Sequence, residues 1–217
     1  MKVVNLGEHS SVLNLFVSQL RDRNFQKDSL RFRMNLQRLG QIFGYEISKT
    51  LDHSIRDVVT PLGIANIEVP DEKIVVATIL RAGLPLHEGI LQCFDGAENA
   101  FVAAYRKYHK NGGFDIHTEY CTCPDITGKT MILADTMLAT GSSVEVAYEV
   151  LCREGGQPGK LHLVCPIASA QAVENLKKKM PAGSTLWVAA IDPELTGHAY
   201  IVPGLGDAGD LAYGAKL

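Results

Sequence analysis

The chain has 217 residues, a formal net charge of −3, 46% hydrophobic and 21% charged residues. That is the composition of a folded domain with a sizeable core; it excludes a disordered or low-complexity chain. A slightly acidic balance also argues against a surface built to neutralise a run of nucleic-acid phosphates, though two or three local cations suffice for a small phosphorylated ligand. At this length one domain is expected, spanning residues 1–217.

No signal peptide is read at the start and no apolar run is long enough to span a bilayer, so a soluble protein without a membrane partner is expected. Five cysteines, an odd number scattered through apolar segments (Cys93, Cys152 and Cys165 among them), read as reduced thiols of a cytoplasmic protein.

The first fifty residues read as helical. Asp28 is a candidate N-cap, followed by Leu36, Leu39, Ile42, Phe43 and Ile47 at helical spacing. After Thr60-Pro61 come continuous apolar runs at 74–80, 100–105, 131–134, 161–167 and 186–191, the pattern of strands buried on both faces. Helical stretches at 84–93, 143–153 and 169–179 alternate with them. The expectation is an α/β fold with a mostly parallel central sheet flanked by helices. Residues 106–129 are polar around Asn111-Gly112-Gly113 and read as a projecting β-hairpin arm. Residues 192–217 are dense in Gly and Pro and read as an irregular C-terminal segment.

In an open parallel sheet, ligands bind beyond the carboxyl ends of the strands. After 131–134 come Asp135, Thr136, Met137, Leu138, Ala139, Thr140, Gly141, Ser142 and Ser143, then a helix. Small hydroxyl residues, a glycine and a helix N-terminus converging on one spot read as a phosphate cup, and spacing alone leaves open a plain helix N-cap of serines after a turn. Asp135 is placed to accept from sugar hydroxyls or to meet hydrated Mg²⁺. Arg81, on a glycine turn after 74–80, and Arg106, after 100–105, are fork-shaped phosphate donors at strand ends. Gly128-Lys129-Thr130 resembles the end of a P-loop but precedes a strand, and Cys123 stands where that motif needs glycine; it is rejected. Cys121 and Cys123 near His109 and His117 make only a poor zinc pattern. Trp187 reads as core, and Lys177–Lys179 as the dipole-favoured end of a helix.

These residues spell a resemblance. MILADTMLATGSS resembles the phosphoribosyl pyrophosphate (PRPP) loop of type I phosphoribosyltransferases. ILRAGL at 79–84, Tyr105-Arg106, ADTMLATGSS at 134–143 and YIVPGLGDAGD at 200–210 are together similar to the uracil phosphoribosyltransferase family, as is RFRMNLQRLGQIFGYEIS near the start. The resemblance implies transfer of 5-phosphoribose from PRPP to uracil, giving UMP and pyrophosphate. It implies Arg81, Arg106, Asp207 and residues 135–143 on PRPP, and a C-terminal base-binding segment recognising uracil through the backbone around Ile201, Gly206, Asp207 and Ala208. Asp207, Arg106 and Arg81 are then the catalytic set, with Mg²⁺ carried by PRPP rather than by direct side-chain ligation. A homodimer or higher even oligomer and a GTP effector are implied as well. Ser142 departs from the second glycine many members carry, and the arm is unlike theirs. Two rivals stay open: a phosphoribosyltransferase for another nucleobase, and a pyrimidine-nucleotide-sensing RNA-binding protein on the same fold. An evident basic stripe, which the second would need, is missing. A sugar- or nucleotide-binding module without chemistry is argued against by the intact Asp135, Arg81 and Asp207.

Overall fold

The computed structural model describes residues 1–108 and 114–215, and their side chains other than those of 104–108 and 114–117. The chain opens on a four-residue strand, β1 (Lys2–Asn5), ahead of the expected helices. Then follow α1 (Val12–Arg21), capped by Ser11, and α2 (Ser29–Ser48). Asp28 is indeed the cap of α2: its side chain accepts from Arg31 N at 3.0 Å. The spacing of Phe32, Leu36, Leu39, Phe43 and Ile47 gives α2 a fully buried stripe.

The sequence reading missed the next element. β2 (His53–Thr60) and β3 (Gly63–Pro70) form a two-stranded antiparallel hairpin outside the main sheet. Its Ile55, Val59, Leu62 and Ile64 are exposed, so the inside/outside alternation that marks a half-buried strand has no core to report on.

From β4 (Ile74–Ile79) onward strand and helix alternate. The series runs α3 (Leu84–Leu91), β5 (Glu98–Tyr108), β6 (Phe114–Thr122), β7 (Thr130–Ala134), β8 (Met137–Leu138) and α4 (Ser142–Gly155). It continues with β9 (Lys160–Ser169), α5 (Ala170–Lys179) and β10 (Thr185–Asp192). The main sheet has the order β1-β10-β9-β7-β4-β5-β6, with β8 paired to β9. All its pairings are parallel except β5 with β6. One apolar cluster joins α1, α2 and α3 to one face of the sheet, and a second joins α4 and α5 to the other. Trp187 and the strand around it are core, and Trp187 Nε1 donates to His162 Nδ1 at 3.1 Å.

Two expectations about the arm need correction. Residues 123–129 do not project: Ile126 is fully buried and its N–H donates to Gly155 O at 2.8 Å, tying the loop under α4. Arg106 does not stand at a strand end. β5 runs on to Tyr108 because β6 pairs with it, setting Arg106 opposite Ile116. The tip carrying Gly112-Gly113 lies outside the described residues, as do the side chains of Arg106, His109 and His117. The rejected P-loop segment enters β7 directly, and Lys129 pairs with Glu98. All five cysteines are free; Cys165 is buried, but Cys93 is exposed rather than packed. Among the described residues no helix is long and apolar enough to cross a membrane.

The tail is built from β11 (Glu194–Leu195), β12 (Ile201–Val202) and a short α6 (Ala208–Tyr213). Ile201, Leu205, Ala208 and Ala212 sink into the cluster beneath α1 and α2. Arg33 of α2 donates to Ala212 O at 2.7 Å and lies over the Tyr213 ring.

Candidate active site

After β4 the chain moves outward to β5 and β6; after β6 it returns to the other side of β4 and builds β7, β9 and β10. The carboxyl ends of β4 and β7 therefore flank the point where strand order reverses, the place such sheets bind ligands. A cleft of about 660 Å³ opens there. Arg81, Asp135, Thr136, Met137, Ala139 and Ser143 line it from the sheet, and Ile201, Gly206, Asp207 and Ala208 from the tail. The four last-named residues are 66 or more positions from Asp135 in the chain, yet they share one cavity.

Asp135 follows the last residue of β7 and is buried. Its Oδ1 accepts from Thr136 N at 2.7 Å. Burial pushes its pKa up to about 7, against a smaller lowering by the Thr136 and Met137 amides. A carboxyl group held at that balance gains most from polar hydrogens that a ligand brings.

Gly141 caps α4 at φ 82, a left-handed value that suits glycine. A Cβ there would lie 2.9 Å from Leu176 Cγ. The Thr140 and Ser142 hydroxyls hydrogen-bond each other at 2.9 Å, and Ser142 N donates to Thr140 Oγ1 at 3.3 Å. Two supports brace this loop from the β9–α5 junction and from α5: Ser169 Oγ donates to Ala139 O at 2.5 Å, and Asn175 Nδ2 to Thr140 O at 3.1 Å. Ser169 also caps α5 by accepting from Ala172 N. Thr140, Gly141 and Ser142 thus shape the rim without lining the cleft, and Leu138 is buried in the core. Gly141→Ala is expected to cost about 1–2 kcal/mol in stability. Thermal melting checks it, and an unchanged melting temperature would show that the left-handed conformation is not required there.

Arg81 sits on a turn closed by Gly83, where a Cβ would meet Thr78 Oγ1 at 2.3 Å. Its Nη2 reaches Asp210 Oδ1 at 3.4 Å and its side chain is 40% exposed, so the guanidinium is loosely tethered and available at the cleft mouth. Asp207 caps α6, its Oδ1 accepting from Asp210 N at 3.0 Å. Glu119 also lines the cleft, and sequence reasoning did not find it. Ala103 pairs with Tyr120 and Ala104 with Thr118, so Glu119 is the unpaired residue of a β-bulge that re-aims its side chain.

An acidic strand end, a small-residue loop opening a helix, and a cleft over the switch point are the features of an α/β protein that binds a phosphorylated ligand. Its relatives place the chain among the phosphoribosyltransferases. A solved hypoxanthine phosphoribosyltransferase from Staphylococcus aureus shares this fold, with a TM-score of 0.50 at 13% identity over 74% of each chain. The family profile described as uracil phosphoribosyltransferase matches residues 8–215. A curated uracil phosphoribosyltransferase from Porphyromonas gingivalis is 55% identical over 217 residues, covering 100% of both chains. A solved structure of an Aquifex aeolicus protein has a TM-score of 0.85 at 29% identity, covering 99% of both chains. The chain belongs to the uracil phosphoribosyltransferase family.

Proposed function

We propose that this chain transfers the 5-phosphoribosyl group of PRPP to uracil, forming UMP and releasing pyrophosphate, with residues 135–143, Arg81, Arg106 and Asp207 on PRPP and Ile201, Gly206, Asp207 and Ala208 on uracil. The observation that carries the assignment is the single cleft in which the strand-end residues face the tail. Displacement at the anomeric carbon builds positive charge on the ribose. Catalysis is then positioning plus electrostatics: arginines on the departing pyrophosphate, carboxylates near the cationic sugar. Uracil presents donors and acceptors along one edge, which irregular backbone at Gly206–Ala208 matches without needing a side chain.

Mg²⁺ fits this cleft only as an ion carried by the substrate. Asp135, Asp207 and Glu119 bring hard oxygen donors to the lining, but among the described residues no group of three or more His, Cys, Asp or Glu is gathered to hold a metal ion by itself. Such an ion keeps several waters and is usually held by one or two carboxylates plus substrate phosphates. It would ride on PRPP, with Asp135 and Asp207 reaching it through water. When bound it supplies neutralising charge to the pyrophosphate.

A cytoplasmic homodimer or higher even oligomer, with GTP as effector, completes the reading. The exposed Val59, Leu62 and Ile64 at the tip of β2–β3 support self-association, since apolar surface gathered on a projecting element marks an interaction site. The test is pyrophosphate release from PRPP offered uracil, orotate, hypoxanthine or adenine, with and without Mg²⁺ and GTP, alongside sedimentation. Release with uracil alone is expected; release with a purine base instead would overturn the substrate, and RNA binding surviving physiological salt would revive the regulatory alternative.

A further inference from the structure

Immediately after Asp192 the chain leaves the sheet, makes the β11–β12 hairpin, and returns at Pro203-Gly204. That hairpin forms a hood, and its Ala199, Tyr200 and Ile201 line one wall of the cleft. Two residues beyond Gly204 the chain reaches Gly206, which with Asp207 and Ala208 lines the same cleft.

One group of atoms closes the base of this hood. Asp192 Oδ2 accepts from Gly204 N at 2.9 Å, joining the two ends of the excursion. Arg21, the last residue of α1, grips Asp192 with both prongs at 2.8 Å, and its Nη1 also donates to Gly204 O at 3.1 Å. Both backbone polar groups of Gly204 are thus held by the two members of one ion pair. Asp192 is buried and the Arg21 side chain is 23% exposed, so the pair is shielded from solvent screening. Gly204 has φ 52, and a Cβ there would lie 2.2 Å from Ile201 O, so its backbone fits the clasp only as glycine. Arg21 lies 171 residues from Asp192 and does not line the cleft.

We infer that the Arg21–Asp192–Gly204 clasp is a positioning device for base selection: it sets the gap between the hood wall at Ala199–Ile201 and the backbone at Gly206–Ala208, and thereby the fit for a flat pyrimidine. This rests on the assignment of uracil to that gap. A planar guanidinium is suited to the task because its fork fixes carboxylate and carbonyl together, whereas an ammonium is a single point charge. The 135–143 loop on the PRPP side of the cleft is braced separately, from Ser169 and Asn175.

The test uses the full chain and four variants. Arg21→Met removes the fork, and Arg21→Lys keeps the charge. Asp192→Asn keeps an acceptor for Gly204 N but loses the charge that holds the Arg21 fork. Gly206→Ala adds a methyl to the cleft lining where nothing lies within 4 Å. Initial rates give KM for uracil and for PRPP separately, at a temperature below each variant's melting midpoint. Arg21→Met and Asp192→Asn are expected to raise the uracil KM by about tenfold to hundredfold, the cost of a misplacement near 1 Å, with the PRPP KM within about twofold. Arg21→Lys is expected to recover part of the loss. An unchanged uracil KM in Asp192→Asn and Arg21→Met, or a parallel rise of both KM values, overturns the inference and leaves the clasp a matter of stability alone. Gly206→Ala separates the two readings. If it leaves the uracil KM unchanged, the base-site assignment fails; if it raises that KM while the clasp variants do not, only the clasp fails.

Discussion

Asp207→Asn is expected to lower kcat by about a hundredfold to a thousandfold, the range seen when one preorganised electrostatic group is removed from a reacting centre, while the uracil KM moves only a few-fold. The isolating feature is the cap. Asp207 Oδ1 accepts from Asp210 N at 3.0 Å, opening α6 at the wall of the cleft. Asparagine caps a helix about as well as aspartate, so the substitution keeps the backbone at Gly206–Ala208 while deleting a negative charge. If uracil is read by that backbone, its ground-state binding survives. If the carboxylate faces the ribose as positive charge develops, only the transition state suffers. Steady-state rates with saturating PRPP separate the two, and an unchanged melting temperature certifies the cap. Wild-type turnover would remove Asp207 from the chemistry.

The parts of this site that could be read from residues alone share a physical character. Strands buried on both faces appear as unbroken apolar runs, and the loops after them are short, so Arg81 and the 135–143 loop are found by looking one residue past each run. Glycines that the fold requires are informative for the same reason: Gly83 and Gly141 each lie where a Cβ would strike a neighbour.

What escaped had no local signature. The β1 segment is four residues long, and its strand identity comes from pairing with β10. The β2–β3 hairpin buries little, so its apolar residues follow no core face. Glu119 enters the cleft through a bulge, a register event between two strands. The extension of β5 that takes Arg106 off a strand end likewise belongs to the β5–β6 pairing. The clasp joins α1 to β10 across 171 positions and leaves no mark on either segment.

Asp135 carries the second large effect, and it is on stability as a function of pH. An unfolded aspartate titrates near 3.9; burial at the cleft floor raises this one to about 7. Between those values the folded protein holds a proton that the unfolded chain has released. The stabilisation from this proton is therefore complete below about pH 4 and is lost as pH rises through about 7, a span worth about 4 kcal/mol. Ligand-free protein should melt at a progressively lower temperature from roughly pH 4 to pH 7 on this account, and level off above it. Asp135→Asn, neutral throughout, should lack that component. The difference between the two profiles isolates Asp135 from His87 and His162, whose burial pulls their pKa values down. The same variant should bind PRPP less well at pH 8, where the native carboxylate is charged and free to accept from ribose hydroxyls. Superimposable melting profiles for the two proteins would show that the cleft floor leaves this carboxylate an ordinary acid.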